Sequence, residues 1–452
     1  MNIIIVGCGK VGEKIAHMLC LEKEHNITIV DTRSSVLDAA VNQYDVMGVI
    51  GSGTSIDTLT EAGVADADIL IAVTASDEIN LLTCLIARKA GNCQTIARVR
   101  KPEYHKEIEL FKEDLGLAMV INPELAAANE IARVLRFPAA IKIDTFAKGR
   151  VEILKLRIDD ESPLNNIRVA DIISKLNCDV LVCGVERGEN AFIPNGGFVL
   201  QAGDYISIVT SITNETAFFK KAGVKAGRVK DTIIVGGGET GFYLAQKLLQ
   251  TGIDVKIIEQ NEQRCNELCE LLPKVTVING DGTDNNLLLE EGIGRTTSFV
   301  ALTNIDEENI LLSMFAKTMS DGKLVTKINR IAYDNVISGL DLGTTIYPKN
   351  ITAEHIVRFV RAIKNSMGSN IETMHMMLGG KAEALEFRIA DNSPVANIPL
   401  QDLHIRKNIL LACIHRNGRV IIPRGHDFMR AGDTVVVITT KKGLKDIKDI
   451  TE

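Results

Sequence analysis

A duplication of one whole unit constrains this 452-residue chain more than any other feature, because both copies must fold the same way. Residues 3–12 read IIIVGCGKVG and residues 232–241 read TIIVGGGETG, so Gly7 recurs as Gly236, 229 positions on. The same step carries Gly51-Ser52-Gly53-Thr54 onto Gly280-Asp281-Gly282-Thr283, and Ala72-Val73-Thr74 onto Ala301-Leu302-Thr303. It still holds at Ile193-Pro194 and Gly203-Asp204, which fall on Ile422-Pro423 and Gly432-Asp433. A motif shared by chance would not keep register from end to end.

Each unit has two textures. In the first part, the β-branched runs Ile3–Val6, Ile27–Val30, Val46–Ile50, Ile69–Val73 and Thr95–Val99 alternate with stretches of helical periodicity such as 11–22 and 78–89. Strand and helix in alternation predict a Rossmann-like, doubly wound α/β domain with a parallel sheet. The second part is a small α+β module, with strands at Val151–Ile158, Val180–Val185 and Tyr205–Val209, a turn at Asn195-Gly196, and a helix beginning near Ser162-Pro163. The expected boundaries are 1–124 and 230–348 for the nucleotide-binding domains, and 140–224 and 368–452 for the modules. Between the parts, Asn122-Pro123-Glu124 opens an amphipathic stretch to Arg136, mirrored by Tyr347-Pro348 and Ala353–Ala362. This is either a helix on its own sheet or a crossover helix pairing with the other repeat or another subunit. Lys225–Lys230 is the candidate hinge between repeats.

The net charge is −7 and no dense Lys/Arg block occurs, which argues against nucleic acid as a partner. Nine cysteines without a Cys-x-x-Cys pair argue against structural zinc and for a reduced, cytoplasmic protein. No apolar run reaches the length of a membrane span.

The chemistry concentrates at the strand ends, where doubly wound sheets bind their ligands. Gly7, Cys8, Gly9, Lys10, Val11 and Gly12 form a G-x-G-x-x-G loop between a strand and a helix, a cradle for a pyrophosphate at a helix N-terminus. Asp31 ends the second strand, where a carboxylate accepts from both ribose hydroxyls and repels a 2′-phosphate, favouring NAD over NADP. In the second copy, Gly236, Gly237, Gly238, Glu239, Thr240 and Gly241 repeat the loop and Glu259 stands for Asp31. Glu239 puts a negative charge where the first copy has Lys10, so the first site is expected to be the better dinucleotide binder. Thr54 and Thr283 are candidate adenine or ribose contacts or plain turn residues. Val73-Thr74 and Leu302-Thr303 end the fourth strands, where backbone brackets a nucleotide. Asp77 and Asp306 read as helix caps or ligand contacts. Arg98 and Lys327 read as phosphate-neutralising cations or ordinary ion pairs.

GCGKVG with Asp31, GSGTSIDTL, AVTASDEIN and Arg98 together resemble the domains that regulate conductance of potassium channels and transporters. The order of nucleotide domain, small module, then both again is similar to the TrkA family of Trk potassium-uptake regulators, over essentially the whole chain. The resemblance implies a cytosolic, non-enzymatic regulatory subunit that binds NAD(H), with ATP or ADP as further ligands. It implies a homotetramer docked on a membrane potassium-translocating subunit of TrkH or Ktr type, at the cytoplasmic face of the membrane. The chain departs from the family pattern at Ser52, commonly Asp there, and at Glu239. The rival reading is an NAD-dependent oxidoreductase, which needs a proton-transfer group at the nicotinamide. No histidine of one repeat lands on a histidine of the other: His17 maps to Gln246 and His105 to Asp334.

Overall fold

The structure, a computed structural model, describes all residues except 23–24, 102–103, 105–106, 109–111, 113–114, 137–140, 148–149, 211, 224–228, 331–336, 338–339, 341, 367–370, 442–443, 445 and 452. Residues 225–228 of the expected hinge, and His105, lie outside the described residues.

The first repeat begins β1 (Asn2–Val6), α1 (Lys10–Cys20), β2 (Asn26–Asp31), α2 (Ser34–Gln43), β3 (Met47–Ile50), α3 (Ile56–Glu61), β4 (Ile69–Ala72), α4 (Asp77–Gly91), β5 (Gln94–Arg98) and β6 (Leu117–Ile121). The six strands form one parallel sheet in the order β3-β2-β1-β4-β5-β6. Every residue of β4 and all but the first of β1 are buried, as expected where helices cover both faces of a parallel sheet. The order reverses between β1 and β4, which opens a crevice at their carboxyl ends. A helix, α5 (Pro123–Arg136), leaves this lobe.

A module follows, with β7 (Lys142–Phe146), β8 (Val151–Arg157), the short α6 (Ile172–Leu176), β9 (Val180–Arg187), β10 (Asn190–Phe192), β11 (Tyr205–Thr210) and α7 (Ile212–Lys221). Its antiparallel sheet runs β10-β9-β11-β8-β7. The helix expected at Ser162-Pro163 is instead a set of turns. Asn166 takes the left-handed conformation (φ 61°) four residues into that segment, so a helix begun at Pro163 is stopped within one turn. Asn397 repeats this (φ 60°) after Ser393-Pro394.

The second repeat comprises β12 (Asp231–Val235), α8 (Glu239–Gln250), β13 (Asp254–Glu259), α9 (Glu262–Leu271), β14 (Thr276–Asn279), α10 (Asn285–Glu290), β15 (Ser298–Ala301), α11 (Asp306–Met319), β16 (Lys323–Lys327), β17 (Thr344–Ile346) and α12 (Pro348–Ser366). Its sheet order, β14-β13-β12-β15-β16-β17, is that of the first lobe. The second module carries β18 (Ile371–Met377), β19 (Ala382–Arg388), β20 (Ile409–Arg416), β21 (Arg419–Ile421) and β22 (Thr434–Thr439), with the connectivity of the first. The fold is therefore a Rossmann-like doubly wound domain plus a small, mostly antiparallel module, present twice.

The repeats do not stand as separate bodies. One compact unit joins Met1–Arg136 with Val229–Val360, and the other joins Phe137–Arg228 with Arg361–Glu452. In the first, the crossover question is answered: α5 lays Ala127, Ala128, Ile131, Val134 and Leu135 into the core of the second lobe, among Phe242, Leu244 and Leu248 of α8. In the second, Phe146, Val151 and Cys183 of one module share a core with Met377, Ala384, Cys413 and Val436 of the other. Like packs on like in both units.

Candidate functional site

The glycine loop is built by close approaches. Gly7 has φ +99°, and a Cβ there would meet the Thr74 backbone nitrogen at 2.9 Å; a Cβ on Gly12 would lie 1.9 Å from the Gly7 carbonyl. Gly7 and Gly12 thus hold α1 tight against the ends of β1 and β4. Gly9 is different. It precedes the first residue of α1 in extended conformation, and nothing lies within 4 Å of its would-be Cβ. It faces open space in front of a helix N-terminus, where backbone N–H groups favour an anion.

That space is a cleft of about 660 Å³, within the size range of small-molecule sites. Its walls are the ends of β1, β2 and β4, with Asp31, Ser52, Thr74, Arg98 and Arg100, closed by Pro123 and Glu124 at the start of α5. Asn329, Pro348 and Lys349 reach in from the second repeat.

Asp31 is buried, and its Oδ2 accepts from the Cys8 backbone N–H at 2.8 Å. Its Oδ1 accepts from the Arg33 backbone N–H (3.0 Å) and guanidinium Nε (3.1 Å). Burial pushes the carboxyl pKa up, but bonds from the Arg33 side chain and from the two backbone N–H groups outweigh it, and the net shift is downward. Asp31 is therefore held ionised, as an acceptor for a diol must be. The Cys8 thiol is pushed up to about 11, by burial first and then by the Asp31 charge, so it stays a neutral thiol.

The far wall depends on a residue that the motif reading passes over. Asn80 is fully buried on α4; its Oδ1 accepts from the Thr74 N–H at 2.8 Å and its Nδ2 donates to the Arg98 carbonyl at 2.9 Å. It staples the end of β4 to the end of β5. Asn309 does the same in the second lobe, from Thr303 N–H (2.8 Å) and to the Lys327 carbonyl (3.0 Å). The repeat itself carried the signal, since both asparagines hold the 229 step.

Asp77 is not the helix cap. Ser76 caps α4 by accepting from the Ile79 N–H, while Asp77 Oδ2 accepts from the Arg100 and Lys101 N–H groups at 2.9 and 3.0 Å. Asp306 likewise receives Asn329 and Arg330 N–H groups at 2.9 and 2.8 Å. Both aspartates hold the segment after the fifth strand against the cleft. Arg98 and Lys327 spend a donor on backbone, Arg98 on the Thr74 carbonyl and Lys327 on the Leu302 carbonyl (2.9 Å), and burial lowers the pKa of each. Arg98 Nε is buried with no hydrogen-bond partner among the described residues, and the side chain lines the cleft. Glu124 Oε2 is in the same condition, and burial raises its pKa.

Thr54 is not brought into this cleft. Its hydroxyl turns to Ser52 Oγ (2.8 Å), and the residue lines a separate hollow with Ile56, Leu85 and Lys89; Ser52 is the one that faces the cleft. In the second lobe Asp281 makes the same turn, accepting from Thr283 N–H and hydroxyl at 2.9 and 2.8 Å. Ser52 therefore preserves the turn without the charge.

The second glycine loop copies the first up to a point. Gly236 has φ +110°, Gly238 opens α8 in extended conformation, and Gly241 sits on the Gly236 carbonyl. Glu259 accepts from the Gly237 N–H (2.7 Å) and the Asn261 N–H (2.9 Å), as Asp31 does from Cys8 and Arg33. Across the loop, Arg264 donates to the Gly237 carbonyl (2.9 Å) and pairs with Glu239 (3.3 Å), next to Thr240. An ion pair thus lies where the first lobe has Lys10, while Gly238, like Gly9, has nothing within 4 Å of its would-be Cβ.

A family model described as the TrkA-N domain matches residues 3–123 and 232–348, and one described as the TrkA-C domain matches 153–223 and 384–451. The chain belongs to the TrkA family. It is 32% identical over 458 residues to the Trk system potassium uptake protein TrkA of Haemophilus influenzae, covering 100% of this chain and 98% of the relative. It is 30% identical over 461 residues to TrkA homolog 2 of Methanosarcina mazei, covering all of both. Among solved structures, the GsuK channel bound to NAD superposes with a TM-score of 0.62 at 18% identity, over 98% of this chain and 77% of that one, a likeness of fold. The two TrkA-N lobes form the first compact unit and the two TrkA-C modules the second. Among the described residues no helix is long and apolar enough to cross a membrane, and no cluster of side chains could hold a metal ion.

Proposed function

We propose that the chain is the regulatory subunit of a Trk-type potassium uptake system, binding NAD(H), or ADP and ATP, and passing the nucleotide state to a membrane potassium-translocating partner of TrkH or Ktr type. Its place is then the cytoplasmic face of the membrane, as a homotetramer. Full-length similarity to proteins named for Trk potassium uptake supports the system. The observation that carries the nucleotide is the first cleft, with ionised Asp31 on one side and the open N-terminus of α1 on the other. We take Gly7–Gly12, Asp31, Thr74 and Arg98 as its ligand-binding residues, with Gly236–Gly241, Glu259, Thr303 and Lys327 as their counterparts. Val73 and Leu302 act through backbone position, and Thr54 only through the turn it makes with Ser52, which faces the cleft. The working domain limits remain 1–124, 140–224, 230–348 and 368–452.

A nucleotide moves a gate only by its difference in affinity for two states, and a full swing takes about 5.5 kcal/mol, which several coupled sites can supply together. The oxidoreductase alternative needs a His, Lys or Tyr at the nicotinamide; among the described residues lining the cleft only Lys10 and Lys349 are of these types, and neither has an equivalent lysine in the other repeat. Potassium uptake at limiting external potassium, in cells lacking the gene and in cells with it restored, tests the role. Uptake that collapses and returns supports it; uptake indifferent to the gene overturns it. Restoring the gene as Asp31→Ala then asks whether the first cleft is the regulatory one.

A further inference from the structure

The first cleft is not built by the first repeat alone. Pro348 and Lys349 open α12 of the second lobe, and they line the same cleft as the first lobe's glycine loop. Their counterparts, Pro123 and Glu124, open α5 and line the same cleft. Equivalent positions of the two repeats thus carry opposite charge around one cleft, and the cation is the one brought from the other lobe. Of the five lysine and arginine side chains that line the space, Arg33 is paired with Asp31 and Arg100 with Asp77 just outside the lining (3.6 Å), which leaves Lys10, Arg98 and Lys349 beside Glu124. Asp31 is engaged by Cys8 and Arg33, while Arg98 Nε has no hydrogen-bond partner among the described residues.

A cation excess in a partly enclosed space is costly until an anion fills it. Lys349 lies in the field of α1: burial lowers its pKa first, Glu13 opposes that, Lys14 and Lys10 add to it, and Asp306 of its own lobe opposes it. The helix N-terminus and Gly9 account for one pyrophosphate and leave Lys349 over. A dinucleotide has its pyrophosphate capped by a second nucleoside, whereas a nucleoside di- or triphosphate ends in a free, more highly charged phosphate.

We propose that Lys349, supplied by the second TrkA-N lobe, reads the terminal phosphate of a nucleoside di- or triphosphate held in the first lobe's cleft. Such a ligand ties the two lobes together in a way that a dinucleotide does not. Lys349 is then the residue that sets which nucleotide the first lobe prefers, and it does so across the boundary between repeats. The inference rests on the nucleotide-binding reading given above.

Calorimetric titration of the full-length protein with ADP and with NADH tests it, taking as first-lobe sites those abolished by Asp31→Ala. In Lys349→Ala the ratio of ADP to NADH affinity at those sites falls about tenfold, the loss of one charge-assisted hydrogen bond. Lys349→Arg restores the ratio, and Lys349→Glu depresses it beyond the alanine variant. Equal losses for both ligands, or none for either, overturn the role of Lys349 while leaving the site in place. Wild-type protein that binds neither ligand overturns the nucleotide-binding reading and this inference with it.

Discussion

At the scale of single residues, the three glycines of the first loop divide into two that pack closely and one that faces the cleft. Gly12 has no room: an added Cβ would sit 1.9 Å from the Gly7 carbonyl, so α1 must move off the sheet. Gly12→Ala is expected to cost about 3 kcal/mol or more in urea unfolding. Gly9 already has an extended backbone (φ −81°) that alanine adopts freely, and its Cβ would point into the cleft. Gly9→Ala should cost only about 0.5 kcal/mol of stability and yet weaken nucleotide binding, since the methyl group takes the phosphate's place. Equal losses of stability in the two variants would contradict this division. Asn80 does both jobs. Asn80→Ala leaves the Thr74 N–H and the Arg98 carbonyl without their partner in a buried wall, and should cost about 2 kcal/mol along with affinity.

At the scale of elements, α5 shows what a one-dimensional pattern can and cannot say. Five strands of the first lobe and the glycine-loop helices were legible, because β-branched runs and G-x-G-x-x-G mark them locally; the sixth strand, β6, and its counterpart β17 were not read. The amphipathic face of 123–136 was legible too. Its partner was not, because an apolar stripe reads the same whether it meets its own sheet or the other repeat. The structure seats it against α8, and one polar link fixes the seating. Asn122 caps α5 by accepting from the Leu125 N–H (2.9 Å), and its Nδ2 donates to the Arg100 carbonyl (3.0 Å) and the Tyr243 hydroxyl (3.1 Å). The link therefore runs from the second lobe to the backbone of an arginine that lines the first cleft. Asn122→Ala should cost about 2 kcal/mol, from the cap and the lost link together, and Tyr243→Phe about 1 kcal/mol. In a double-mutant cycle by chemical denaturation the two losses should overlap, since each single change already breaks the same bond. Strict additivity would mean the link carries no energy. The reach of Lys349 and Asn329 into the first cleft was hidden for the same reason as the partner of α5: it depends on how lobes meet.

At the scale of the whole molecule, duplication let equivalent positions diverge into complementary ones. Sheet register makes Asp144 of β7 the equivalent of His375 of β18, each paired to a residue that in turn faces an equivalent strand position. These two equivalents touch each other, His375 Nδ1 lying 3.3 Å from Asp144 Oδ1, with His375 Nε2 3.1 Å from the Thr145 carbonyl. Equivalents in contact mean that the modules meet about an approximate two-fold axis. Two identical modules would set like against like there; this chain sets an acid against a base. The same divergence recurs off the axis. Lys155 and Glu186, ion-paired at 2.8 Å in the first module, have Glu386 and His415 as equivalents in the second. Glu386 accepts from the Ala147 N–H of the first module at 3.0 Å. His415 is buried, its Nε2 has no hydrogen-bond partner among the described residues, and it faces Arg150 of the first module and Asp433 of its own. Burial first, then the Arg150 charge, lowers its pKa below the usual 6.5. The folded form thus prefers the neutral ring, and the unfolded chain binds its proton at higher pH. The stability that His415 contributes is complete above pH 6.5 and is lost as pH falls through 6.5 toward the lower folded-state value. The urea midpoint of the transition that reports on the TrkA-C modules should accordingly fall as pH is lowered from 7.5 to 5.5. His415→Gln, which keeps a polar side chain but cannot charge, should flatten that fall. A fall of equal steepness in the variant would place the acid sensitivity elsewhere, and a midpoint that rises on acidification would mean that Asp433 outweighs burial and Arg150 at this position.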